Sequence, residues 1–209
     1  FHLTVIIPSL NETKIYNLID KLKNNYDLIV VDDGSKKKIK NYIKNSSKIT
    51  ILRNKNTKGY EKSLLKGFKY SSSKYEYILT MDADGEHPIS NIKKIYNYAK
   101  KNKMDLVVGS RSRLNRFSEK IYSFLFYKFF KIKDPLSGFK IYNTKILKKI
   151  VLTKNIKDDF LVDLIKHFIK LNHKVSYLNI NSSKIKKGNS KLPTIGTHFK
   201  ILKLIKYLR

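Results

Sequence analysis

The sequence contains no cysteine, which excludes disulfides and Cys-ligated zinc and is compatible with a cytoplasmic location. No apolar run approaches the ~20 residues a membrane span requires, because lysine interrupts every candidate. Acids are scarce: 16 Asp and Glu stand against 45 Lys and Arg, a formal charge of +29. Such an excess points to a polyanionic partner, whether nucleic acid, anionic membrane or phosphorylated ligand. Yet 40 of the basic residues are Lys, spread almost evenly beside abundant Asn and Ile, as a background compositional bias also produces. Against that background the rarer charged residues are informative. Three of the five Arg fall at Arg111, Arg113 and Arg116, and five of the acids at Asp32, Asp33, Asp82, Asp84 and Glu86.

A chain of 209 residues with 41% apolar content reads as one globular domain over 1–209. Phe1–Ile7 is too short for a signal peptide and reads as the start of a first strand, Leu3–Pro8. Apolar runs predict further strands at Asp27–Val31, Ile49–Leu52, Tyr75–Met81, Asp105–Val108 and Lys174–Ile180. Helical periodicity covers Glu12–Asn24, a Lys-rich stretch after Ser35, Lys58–Tyr70, Ile89–Lys101 and Phe160–Lys170. The segment Ile121–Ile132 is densely aromatic, Asp134–Lys140 reads as a turn into a strand, and Thr197–Arg209 as a basic helix. Continuous rather than alternating apolar strands, interleaved with helices, predict an α/β fold with a mostly parallel sheet covered on both faces.

In such sheets ligands bind beyond the carboxyl ends of strands, where both acidic clusters and Arg111 fall. Alternation along an extended chain puts Asp82 and Asp84 on one side. With Glu86 they can converge on Mg²⁺ or Mn²⁺, which keeps positions for substrate phosphates. The same acids would also suit a solvated turn at the N-terminus of a Pro-started helix; the strand-end position and the nearby arginine favour the ligand site. Asp33, with Asp32 beside it, sits where a carboxylate can accept from a nucleobase or ribose, although Asp32–Ser35 is also an ordinary turn sequence. Arginines supply forked, permanently charged donors to phosphate; Arg113 fits a solvated basic loop instead.

Seven stretches in order, Val5–Glu12, Val30–Ser35, Gly59–Gly67, Met81–Pro88, Val108–Arg111, Asp134–Phe139 and Gly188–Leu192, resemble family 2 glycosyltransferases of the GT-A fold. Within that family they are most like the dolichol-phosphate mannose synthase and polyprenyl-phosphate glycosyltransferase branch. The resemblance implies that Pro8, Asn11 and Glu12 line the nucleotide pocket and that Asp33, with Asp32, reads the base. It further implies that Asp82 and Asp84 engage a GDP- or UDP-linked sugar and its metal, and that Arg111, Arg116 and Lys191 grip phosphates. Glu86 stands where the family usually has Gln, Glu61 replaces a small residue, and Lys186 sits where Arg is usual.

The implied reaction is inverting transfer from a nucleotide sugar. A polyprenyl phosphate acceptor is already anionic and needs no general base, only cationic positioning. A saccharide acceptor, as in capsule, lipopolysaccharide or glycoprotein synthesis, would need one, with Asp159 or the adjacent Asp158 as candidate. For a lipid acceptor, Ile121–Ile132 and Thr197–Arg209 would rest at the cytoplasmic face of a membrane, although both segments also suit core-facing amphipathic helices. A nucleic-acid-binding module is a more remote alternative. It lacks aromatic-interleaved basic motifs, and its strand-end acids would repel phosphate, so no nucleic-acid partner is expected.

Overall fold

A computed structural model describes residues 2–43, 46–114, 116–153 and 160–181. Among these residues the strands are β1 (Leu3–Ser9), β2 (Asp27–Asp32), β3 (Ile49–Arg53), β4 (Tyr77–Thr80), β5 (Leu106–Arg111), β6 (Lys140–Asn143) and β7 (Val175–Ile180). They form one sheet in the order β3-β2-β1-β4-β6-β5-β7. All neighbours run parallel except β6, which is antiparallel to both β4 and β5. The helices are α1 (Ile15–Leu22), α2 (Tyr60–Tyr70), α3 (Ser90–Lys101), α4 (Phe117–Phe130), α5 (Thr144–Thr153) and α6 (Phe160–Lys170).

The pleat explains the apolar runs. In β1, Val5 and Ile7 enter one core with α1 and α3, while Ile6 points into the other with Leu64 and Phe68 of α2 and with α4, α5 and α6. Helix α2 packs tightly because Gly67 has no side chain; a β-carbon there would come within 2.6 Å of Ile6 Cγ2.

One expectation is corrected. The Lys-rich stretch after Ser35 is a single 3₁₀ turn, Ile39–Tyr42, in which only Ile39 is buried, so it has no apolar stripe to hold a longer helix against the sheet. Helix α5, unanticipated, buries Leu147, Ile150 and Val151. Chain order reverses between β1 and β4, creating the crevice where open α/β sheets bind ligands. The loops after β1, β2, β4 and β5 supply the residues considered next.

Candidate active site

The loops after β1 and β2 are tied together. Asp33 N–H donates to the Ser9 carbonyl (2.9 Å), Asn11 N–H to Ser35 Oγ (2.9 Å), and Lys36 N–H to Asn11 Oδ1 (2.8 Å). Asn11 adopts the left-handed conformation, φ 52°, that Asn tolerates. Pro8 is buried within β1, and Glu12 accepts from Lys14 N–H at 3.1 Å. Asp32 is taken up internally: it accepts from Ser35 N–H (2.8 Å) and Ile39 N–H (3.4 Å) and pairs with Arg53.

Asp33 joins β2 to the start of α2. Its carboxylate accepts from Asn54 Nδ2 (2.7 Å), Lys58 N–H (2.9 Å) and Gly59 N–H (2.8 Å). Burial alone would raise its pKa, but these bonds, with Ser63, outweigh burial and hold it below the ordinary value.

Past β4 the chain carries Asp82 into the crevice. The Tyr60 hydroxyl donates to Asp82 Oδ1 at 2.8 Å, and His87 Nε2 lies 3.4 Å from Oδ2. His87 is buried with its ring against Phe139, and its Nδ1 has no hydrogen-bond partner among the described residues, which favours the proton on Nε2, facing the carboxylate. Burial pushes the Asp82 pKa up, yet His87, Tyr60 and Arg111 hold it below the usual value. Opposite Asp82 is Gly138, where a β-carbon would collide with both carboxylate oxygens.

Asp84 and Glu86 stay adjacent, Glu86 N–H donating to Asp84 Oδ1 at 2.9 Å. Both pKa values are raised, first by burial; Asp82 adds to each shift, and Asp84 further raises Glu86. Among the described residues no three His, Cys, Asp or Glu side chains are grouped as a ready metal cage. One or two carboxylates plus substrate phosphates are the usual Mg²⁺ set, however, and a crowded carboxylate pair suits a dication.

Beyond β5, Arg111 and Arg116 converge on the buried Glu119. Arg116 Nη1 donates to Glu119 Oε1 at 2.8 Å, and Arg111 Nη2 lies 3.7 Å from Oε2. Arg111 also forks onto Asp134, through Nε at 2.8 Å and Nη2 at 2.9 Å. Burial would lower the guanidinium pKa, but Asp134 and Glu119 hold it above its ordinary value. Arg111 lines a cavity of about 670 Å³ together with Arg113, Lys120, Ser123, Lys133 and Asn179. Arg113 lines this cavity while remaining exposed to solvent in its loop. Lys133 is held over the Tyr127 and Tyr177 rings at 5.4 and 5.3 Å.

Lys191, Asp158, Asp159 and the Gly188–Leu192 and Thr197–Arg209 segments lie outside the described residues. Sequence reasoning assigned no role to Tyr60, His87, Glu119, Lys120, Lys133, Asp134 or Lys140. Two had a signal: Glu119 and Asp134 are acids in an acid-poor chain.

A parallel sheet with one antiparallel strand, and carboxylates set at the crevice where strand order reverses, defines an α/β enzyme of the GT-A fold. The family model described as "Glycosyl transferase family 2" matches residues 4–151, and the chain belongs to that family. It is 28% identical over 245 residues to a dolichyl-phosphate beta-glucosyltransferase of Dictyostelium discoideum, covering 100% of this chain and 74% of that one. It is 32% identical over 130 residues to a UDP-N-acetylglucosamine–dolichyl-phosphate N-acetylglucosaminyltransferase of Methanococcus voltae, 51% of each chain. Glucosyl-3-phosphoglycerate synthase from Mycobacterium tuberculosis, solved with Mn²⁺, UDP-glucose and phosphoglyceric acid, shares the fold. Its TM-score is 0.72 at 16% identity, over 99% of this chain and 79% of that one. The protein is therefore a glycosyltransferase with relatives named for dolichyl phosphate.

Proposed function

We propose that this enzyme moves a sugar, with inversion, from a GDP- or UDP-linked donor to a polyprenyl phosphate. The observation that supports this most is the cavity beyond β5, where Arg111, Arg113, Lys120 and Lys133 put four cations around one space. Helix α4 flanks it, exposing Phe117, Phe124 and Phe129 to solvent (74, 69 and 58%). A cationic hollow beside exposed aromatic rings suits a ligand with a phosphate head and an apolar tail.

On this reading Pro8, Asn11, Glu12 and Asp33 shape the nucleotide pocket, with Asp32 bracing its loop. Asp82 faces the donor, and the adjacent Asp84 and Glu86 would hold Mg²⁺ or Mn²⁺ together with the donor's phosphates. When bound, the metal stabilises the leaving nucleoside diphosphate as a Lewis acid. Arg111, Arg113, Lys120 and Lys133, with Arg116 and Lys191, place the acceptor phosphate, whose oxygen is the nucleophile and needs no base. The protein works peripherally at the cytoplasmic face of a membrane, with the α4 rings at the interface. No helix among the described residues is long and apolar enough to cross one.

The test is a kinetic comparison of Lys120→Ser and Lys133→Ser with wild type, using a short-chain polyprenyl phosphate. The acceptor KM should rise at least tenfold while donor hydrolysis without acceptor stays within twofold. Unchanged acceptor KM in both variants would remove the phosphate assignment from this cavity.

A further inference from the structure

Lys140 is the only lysine among the described residues in the buried interior, with 0% exposure. It opens β6, paired with Thr80 of β4 and Val108 of β5. Removing an ammonium from water is costly, and an apolar side chain would fill the space without that cost. What the ammonium adds is a directed bond: Lys140 Nζ donates to the Ser137 carbonyl.

That carbonyl belongs to the turn before β6, which is held at three points. Arg111 grips Asp134 at its start, Lys140 holds Ser137, and the Thr80 hydroxyl donates to the Gly138 carbonyl at 2.7 Å. The turn is packed directly on the Asp82 carboxylate, which lies where a Gly138 side chain would be. A shift of the Ser137–Gly138 peptide by a few tenths of an ångström would therefore move Asp82 or open a gap beneath it. Tyr60 and His87 also hold Asp82, and the turn is a further wall of its seat.

We propose that Lys140 is a positioning residue for Asp82: by holding the Ser137 carbonyl it fixes the Gly138 backbone as the surface on which the donor-facing carboxylate is set. The proposal rests on the reading that Asp82 faces the sugar nucleotide. It gives a task to a buried cation to which the proposed nucleotide and acceptor sites assign none. Asp134 and Asp82 act on the ammonium through their charge, opposing the effect of burial.

Calorimetry of UDP-glucose and GDP-mannose binding with Mn²⁺, on wild type, Asp82→Asn, Lys140→Met and Thr80→Val, tests it. UMP and GMP serve as sugar-free controls for the base pocket. Lys140→Met should weaken binding of whichever sugar nucleotide the wild type takes by tenfold or more. Its nucleoside monophosphate affinity should stay within twofold of wild type, and its thermal midpoint should be no lower. If Lys140→Met does not fold, Thr80→Val, which removes the adjacent anchor, should show the same split. Sugar-nucleotide affinity within twofold of wild type, or equal loss for sugar nucleotide and monophosphate, overturns the proposal. Unchanged binding in Asp82→Asn overturns the donor-facing reading of Asp82 and this proposal with it. Loss in Asp82→Asn without loss in the other two overturns this proposal alone.

Discussion

Arg111 and Asp134 meet in a two-pronged ion pair, Nε to Oδ2 at 2.8 Å and Nη2 to Oδ1 at 2.9 Å, that fastens β5 to the turn before β6. The Asp134 side chain is 3% exposed and the Arg111 side chain 18%. Removing one partner of a buried pair leaves the other charge uncompensated, at ~3–5 kcal/mol. Asp134→Ala should lose a part of that in urea unfolding, since Glu119 still lies 3.7 Å from Arg111 Nη2. Arg111→Lys, which keeps the charge but loses the fork, should lose less. Asp134→Ala within about 0.5 kcal/mol of wild type, the usual scale of neutral surface changes, contradicts this role.

Lys140 titrates in the opposite sense from a stabilising group. Burial pushes its pKa down from 10.5 to about 8. Between those values the unfolded chain binds more protons than the native one, so stability rises with pH through that window, and the full cost is present below about 8. Lys140→Met should therefore be more stable than wild type at pH 7, by a net ~1–2 kcal/mol after loss of the Ser137 bond. The gain should shrink toward pH 10. Thermal melts at both pH values check it, and a destabilised Lys140→Met at pH 7 speaks against the account.

Asp33 shows the usual carboxylate behaviour. Its folded pKa lies below the ordinary 3.8, so its contribution is present above that value and lost as pH falls through the folded pKa. Asp33→Asn should cost ~1–3 kcal/mol of stability at pH 7, with the difference from wild type narrowing below about pH 4, the ordinary carboxylate range. The same substitution should weaken nucleotide binding. Denaturant melts across pH, paired with nucleotide titrations, separate the two roles; a pH-independent stability gap would count against the hydrogen-bond explanation.

Sugar-nucleotide binding should be lost on chelation with EDTA and restored by Mn²⁺ or Mg²⁺. Asp84→Asn should remove most of the metal-dependent part of the affinity while circular dichroism stays native. A folded Asp84→Asn protein with wild-type Mn²⁺ dependence would show that the cation is held elsewhere.

The parallel strands were legible because their apolar runs are nearly continuous, as at Leu28–Val31 and Val107–Val108, and fully buried strands need that. The turn into β6 was legible, but its antiparallel direction was not, because four residues, Lys140–Asn143, carry no sign of which strand they will face. Helix α5 went unread although Leu147, Ile150 and Val151 have helical spacing, since short apolar runs amid lysines suit several structures. The carboxylates of the site stood out because acids are rare. Tyr60 and Lys140 did not, since the chain has 14 Tyr and 40 Lys; Tyr60 is singled out only by Asp82, distant in sequence, and Lys140 only by its burial in the fold. Arg113 is an exposed loop residue, as expected; that Lys120 and Lys133 line the same cavity could be seen only in the fold.

The central claim is sugar transfer to a lipid phosphate. The most direct measurement incubates the protein with Mn²⁺, a panel of UDP- and GDP-sugars, and either a short-chain polyprenyl phosphate or free saccharides, with products identified by mass spectrometry. The account predicts glycosylated polyprenyl phosphate from at least one donor, no saccharide product, and most of the activity retained in Asp158→Asn and Asp159→Asn. Transfer only to saccharides, or collapse of activity in Asp159→Asn, would contradict it.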